Sequence, residues 1–227
     1  MSLKPAIRRA LSRFGYQIGE YRPFHEFLAL RGIDLVLDVG ANRGQYVDEI
    51  RAAGYGARVV SFEPQRRAFE EVARRAASDP HWDVMHLALG EKAGICRLNV
   101  YSDDRFSSIH DFQDNRGPQQ TGVEICPMRT LDEVLPEIAG DAQRIFVKLD
   151  TQGSEREIIA GATAALDQVT GMLVELPLAP IYRDQPPMED LIALLRARGF
   201  EPWHLRHVYI DEASKRSFEY DGIFFRR

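Results

Sequence analysis

A chain of 227 residues that is 44% hydrophobic and 28% charged has the composition of an ordinary globular protein, long enough for one two-sided core. A net charge of -5 gives no support for nucleic-acid binding, and no apolar run approaches the length of a membrane span. Two cysteines in no metal-type spacing, Cys96 and Cys126, read as buried or idle thiols of a reducing cytoplasm.

The chain opens on a basic amphipathic stretch, "LKPAIRRALSRFGY", with Leu3, Ile7, Ala10, Leu11 and Phe14 on one helical face. Such a helix either packs its apolar stripe on its own domain, the favoured reading, or lies on an anionic membrane surface. It lacks the apolar core of a secretory signal. "PFHEFLALRG" predicts a second short helix stopped by Gly32, so residues 1–33 form a helical extension.

From residue 34 onward the texture is that of one α/β domain, residues 34–227. "DLVLDV", "ARVVSFE" and "WDVMHLAL" are fully apolar strands, separated by the helices "GQYVDEIRAAG" and "PQRRAFEEVARRAAS". That alternation predicts a doubly wound, mostly parallel sheet covered on both faces. "GICRLNVYS" alternates and predicts an edge or hairpin strand, followed by a long polar loop from Ser102 to Thr121. "VEICPM" resumes strand character and "TLDEVLPEI" is a short helix. "RIFVKLD" is a strand, "SEREIIAGA" a helix with Ser154 and Glu157 in capping-box spacing, "VTGMLVEL" a strand, and "PPMEDLIALLRARGF" an amphipathic helix. "EPWHL" and "RSFEYDGIFFRR" close the chain as strands, read as an antiparallel pair.

In open α/β sheets ligands bind beyond the carboxyl ends of the strands, so the exit of "VLDVGANRG" is the place to look. A dinucleotide fingerprint would need a second glycine where Asn42 stands, and Asp38 would repel a pyrophosphate by about 1 to 4 kcal/mol. Both features disfavour the rival reading, an NAD(P)-dependent oxidoreductase. S-adenosylmethionine has no phosphate and carries an ammonium, a carboxylate and a sulfonium. Asp38 would pair with that ammonium, Gly40 and Gly44 would keep side chains away, and the helix start would receive the carboxylate. Nineteen residues past Gly44, Glu63 in "SFEP" stands at the second strand's tip, where an acid accepts ribose hydroxyls and Pro64 fixes the exit.

The strings "LVLDVGANRGQYVDEIR", "VVSFEP", "LALGEKAG", "SSI", "RTLDEV", "VKLDTQGSEREIIAGA", "LVELPLAPIYRDQPP" and "YDGIFFRR" occur in the order seen in FkbM-type methyltransferases, which residues 34 to 226 resemble. The resemblance implies a class I, Rossmann-like methyltransferase fold, S-adenosylmethionine as cofactor, and O-methylation of sugars, lipoglycans or polyketide-type products. It puts Asp38, Gly40, Asn42 and Gly44 around the methionine part, Glu63 on the ribose, and Ala88 and Leu89 near the adenine. Gln152 departs from the pattern, since relatives often carry an acid there; that departure is the only support for a third reading, a non-catalytic scaffold.

Methyl transfer to a hydroxyl needs alignment and a base to take the proton. Asp150 ends its strand where the transferable methyl would face, and Glu175 ends the next strand among apolar neighbours that would raise its pKa. His110 in the long loop is a third candidate base. Ser107 and Ser108, with Tyr182 and Arg183 in "PLAPIYRDQPPM", are expected to wall a small-molecule or glycan acceptor. Mg²⁺ between Asp150 and Glu175 is a minority alternative lacking a third ligand, so no metal is expected.

Overall fold

The computed structural model describes residues 25–113, 117–210 and 214–227. The basic stretch from Leu3 to Phe14 lies outside the described residues. Helix α1 (Glu26–Leu30) precedes β1 (Leu35–Val39), and Leu28 and Ile33 are buried in the same cluster as Val36, Val47 and Ile50. Residues 25–33 are therefore packed onto the main core.

The strands β1, β2 (Arg58–Phe62) and β3 (Trp82–Met85) alternate with α2 (Gln45–Ala52) and α3 (Arg66–Ala76). After an excursion, β7 (Ile145–Leu149), α5 (Glu155–Ala160), β8 (Val169–Pro177) and α6 (Met188–Ala197) resume the alternation. The chain ends on β9 (Phe200–Ile210) and β10 (Ser217–Arg226). The seven strands lie in the order β3-β2-β1-β7-β8-β10-β9, with β10 antiparallel to both of its neighbours. The strand order thus reverses between β1 and β7, the switch point where a crevice opens. Strands β1 and β7 are buried at every position, as a sheet covered on both faces requires.

The excursion differs from expectation at "WDVMHLAL". Strand β3 stops at Met85, and Ala88–Leu89 (β4) joins a second, three-stranded sheet of order β4-β6-β5. Strands β5 (Gly94–Tyr101) and β6 (Gln120–Arg129) form its antiparallel hairpin. Cys96 and Cys126 are direct cross-strand partners in it, both buried, so side chains thirty positions apart in the chain meet. Helix α4 (Leu131–Ile138) carries the chain's capping box, Thr130 with Glu133. The box expected at Ser154 does not form: Ser154 makes no side-chain cap bond, and Glu155 instead folds back to accept from the Thr151 N–H and hydroxyl, each at 2.9 Å.

Candidate active site

A cavity of about 530 Å³ opens at the carboxyl ends of β1, β2, β7 and β8. The residues predicted for the site divide around it. Gly40, Asn42, Glu63, Pro64, Ala88, Leu89, Ser107, Asp150 and Glu175 line the cavity together. Asp38, Gly44, Ser108, His110, Tyr182 and Arg183 are not among its lining residues.

Asp38 is the main correction. Its side chain is fully buried, because register sets it beside Ser61 on β2 and Lys148 on β7. Oδ2 accepts from the Ser61 hydroxyl at 3.0 Å, and Oδ1 lies 3.1 Å from Lys148 Nζ. An aspartate so engaged forms no exposed lip and has no free charge for a ligand ammonium. Its charge holds Lys148, whose Nζ also donates to the Gly40 carbonyl at 2.8 Å and lies 3.5 Å from Asp150. Burial acts to lower the Lys148 pKa, but the carboxylates of Asp38 and Asp150 outweigh it and hold the ammonium above its ordinary range. Lys148 therefore ties the β1 turn to the end of β7. The signal was present in "FVKLD", a lone lysine inside an otherwise apolar strand.

The glycines answer to the protein's own packing. A Cβ on Gly40 (φ +76°) would lie 1.9 Å from the Asp150 carbonyl oxygen, and one on Gly44 (φ +84°) 2.7 Å from the Trp82 ring. Gly40 thus lets the β1 and β7 exits touch, and Gly44 faces Trp82 rather than the cavity. Asn42 adopts φ +47°, a region that asparagine tolerates. Its side-chain oxygen accepts from Arg43 N at 2.8 Å, so the side chain is turned onto its own loop.

Glu63 sits 6% exposed at the tip of β2. One carboxylate oxygen accepts from Asn42 N at 2.7 Å and the other from Gln65 N at 2.8 Å. Burial pushes its pKa up to about 8, against the pull of those two N–H groups. Each oxygen keeps acceptor capacity toward the cavity, so the carboxylate is held in place to receive two hydroxyl donors. That donor set fits the ribose of S-adenosylmethionine, with Ala88, Leu89 and Leu87 supplying apolar walls nearby.

At the β7 exit, Gln152 (φ +56°) and Gly153 (φ +105°) make a turn in the left-handed region, which for a glutamine stores strain of about 1–3 kcal/mol. The turn presents the Gln152 amide between two acids. Nε2 donates to Asp150 Oδ1 at 3.1 Å and to Glu175 Oε2 at 3.2 Å, while Oε1 lies 3.0 Å from the Tyr182 hydroxyl. A neutral donor here relieves repulsion between the carboxylates, which an acid at 152 would increase. Burial first, then the charges of Asp150 and Glu219, push the Glu175 carboxyl well above the usual range. Asp150 is the more accessible partner, its side chain 41% exposed.

The remaining predicted contacts serve the walls from behind. Ser108 donates to the Gln152 carbonyl at 2.6 Å and accepts from His110 N, pinning the long loop to the turn. Fully buried Tyr182 packs on Phe112 and braces Gln152. His110 lies against Gly153 and is not among the lining residues, and Arg183 is exposed outside. Sequence reasoning missed six charged lining residues besides Lys148: Glu49, Asp104, Arg105, Arg206, Glu219 and Asp221. Among the described residues no cluster of metal-type ligands occurs, and no helix is long and apolar enough to cross a membrane.

Residues 38–202, more than half of the chain, match the family model of the Methyltransferase FkbM domain. The chain is 27% identical over 199 residues to the 31-O-demethyl-FK506 methyltransferase FkbM of Streptomyces tacrolimicus, covering 75% of this chain and 74% of that protein. It is 28% identical over 204 residues to the AMB antimetabolite synthetase AmbE of Pseudomonas aeruginosa, covering 74% of this chain but only 9% of that protein. Among solved structures it resembles the methyltransferase FkbM from Methylobacillus flagellatus KT, with a TM-score of 0.53 at 18% identity over 84% of this chain and 43% of that one. TehB from Haemophilus influenzae is similar with a TM-score of 0.51 at 7% identity, over 93% and 64%. These structural likenesses show the class I methyltransferase fold, and at such identities the fold alone.

Proposed function

The chain belongs to the FkbM methyltransferase family, with S-adenosylmethionine as cofactor, and from that premise we propose that it O-methylates a hydroxyl of a saccharide, glycolipid or natural product. The observation that carries this reading is the Asp150–Gln152–Glu175 bridge, an accessible carboxylate poised at the switch point. S-adenosylmethionine, when bound, supplies a methyl group on a sulfonium that keeps the electron pair of the broken carbon–sulfur bond. Glu63 and the Gly40–Asn42 turn bind and orient it. Asp150 accepts the proton of the acceptor hydroxyl as its oxygen forms the new bond to carbon, a role worth about 10²- to 10⁴-fold in rate. Gln152 fixes the Asp150 carboxylate against rotation, and Lys148 holds it from the other side.

The match to FkbM of Streptomyces tacrolimicus supports the hydroxyl-directed reading, since that protein is named as a methyltransferase of 31-O-demethyl-FK506. The oxidoreductase alternative falls with family membership. The scaffold alternative loses its motive, because Gln152 is an engaged bridge rather than a lapsed acid. The test is transfer of a labelled methyl from S-adenosylmethionine to a panel of polyols, glycosides and macrolactones, with products fragmented by mass spectrometry. A methyl ether formed by the native protein and absent with Asp150→Asn is the expected result. Label found only on nitrogen or carbon would overturn the oxygen-directed reading, and no transfer to any acceptor would revive the scaffold.

A further inference from the structure

Opposite the glycine turn, the cavity wall carries charge that methyl transfer itself does not use. Glu175 on β8 and Glu219 and Asp221 on β10 line it, each less than a tenth exposed. Antiparallel register assembles them, Asp221 opposite Glu175 and Glu219 opposite Pro177. Two of the three have partners. Glu175 accepts from the Gln152 amide, and one oxygen of Asp221 accepts from Arg206 Nε and Nη2 at 3.2 and 2.7 Å. Glu219 has none: at 7% exposure, its carboxylate meets no hydrogen-bond donor or cation among the described residues, yet it faces the cavity.

A buried carboxylate left without a partner is costly, and burial favours its neutral form. Burial, then the charges of Asp150, Glu155 and Asp221, push the Glu219 carboxyl up to about 7. A ligand that brings a positive charge would relieve both burdens. An anionic ligand would find no cation free to receive it at this wall, because the nearby Arg206 is already engaged by Asp221. The cofactor's own ammonium is out of reach when held at the β1 turn: in the order β1-β7-β8-β10, three strand spacings of about 4.8 Å separate β1 from β10.

We infer that the acceptor carries a protonated amine seated on Glu219 and flanked by Glu175 and Asp221, so that its hydroxyl is presented to Asp150. This inference rests on the reading of the Asp150 side as the acceptor end. The substrate class is then an amino sugar or an amino-alcohol portion of a natural product, in preference to a neutral glycan.

The experiment uses the whole protein loaded with S-adenosylhomocysteine and titrates D-glucosamine, N-acetyl-D-glucosamine and D-glucose by calorimetry at pH 7. Glucosamine is expected to bind at least tenfold more tightly than either neutral sugar. Glu219→Gln should remove that preference while leaving cofactor affinity within twofold, and Glu219→Lys, which supplies the cation from the chain, should abolish glucosamine binding. Thermal unfolding of both variants checks that they fold. Equal or undetectable binding of the three sugars, or a preference surviving in Glu219→Gln, overturns the inference. A tenfold loss of S-adenosylhomocysteine affinity in Glu219→Gln also overturns it, because the wall would then serve the cofactor. Amine preference without methyl transfer to oxygen would sink the O-methylation reading alone. Equal turnover of neutral and amine-bearing acceptors would sink this inference alone.

Discussion

The two ends of the cavity hold their carboxylates in different ways. At the β1–β2 end, Asp38 is paired with Lys148 and Ser61, and Glu63 takes a backbone N–H on each oxygen. At the β8–β10 end, Glu175 shares a single amide with Asp150, and Glu219 has no hydrogen-bond donor or cation partner among the described residues. Backbone donors are fixed by the sheet itself, so the first end is preorganised before any ligand arrives. Side chains rather than backbone donors complete the second end, which leaves it responsive to what enters. Under the proposed function, the first end would recognise the cofactor and the second would be specialised for the acceptor by a few charges.

The sharpest way to break that division is Asp150→Asn. Turnover should fall by about 10²- to 10⁴-fold, while calorimetry finds S-adenosylmethionine affinity nearly unchanged. Equal losses in both measurements would mean that Asp150 belongs to the cofactor end. Next in size is Lys148→Met, which strands the buried Asp38 carboxylate and should cost about 3–5 kcal/mol in denaturant unfolding. Adding Asp38→Asn to that variant should recover part of the loss, and additive losses would show that the pair is not coupled.

The pH dependence of stability probes both ends at once. Glu63 and Glu219 are raised in the folded protein to about 8 and about 7, from ordinary values near 4.5. The folded state therefore binds more protons than the unfolded state between these limits. Stability is greatest with respect to these groups below pH 4.5 and is lost as pH rises through 7 and 8. In the ligand-free protein, Glu219→Gln should flatten the portion that ends near pH 7 and leave the portion near pH 8. A native-like slope in that variant would remove Glu219 as its source. The smallest expected effect is on affinity: Glu63→Ala should weaken S-adenosylmethionine by tenfold or somewhat more, about 1.4 kcal/mol. Unchanged affinity in calorimetry would take the ribose role away from Glu63.

Local pattern made most of the fold legible. Continuous apolar strands such as "LVLDV" and "IFVKL" alternate with helices of 3.6 period, which is enough for a parallel sheet and a switch point. "WDVMHLAL" misled because an unbroken apolar run does not reveal that the chain changes sheets after Met85. The β1–β2 end of the cavity was similarly readable in part, since Glu63 and the Gly40–Asn42 turn follow their strands directly and strand exits are short-range features. Asp38 was misplaced for the opposite reason. It faces Lys148 across β1 and β7, a contact spanning 110 residues that only strand pairing creates.

Sequence alone determined the strand–helix alternation, the turn after β1, the acid at the tip of β2 and the candidate base at Asp150, because each depends on neighbours a few positions away. Tertiary structure decided which of those side chains face the cavity, which charges neutralise one another, and that Glu219 and Asp221, some seventy residues beyond Asp150, return to stand beside Glu175. Exposure and charge pairing depend on the relative placement of distant strands. A buried carboxylate and a ligand-binding one share the same letter until the sheet is assembled.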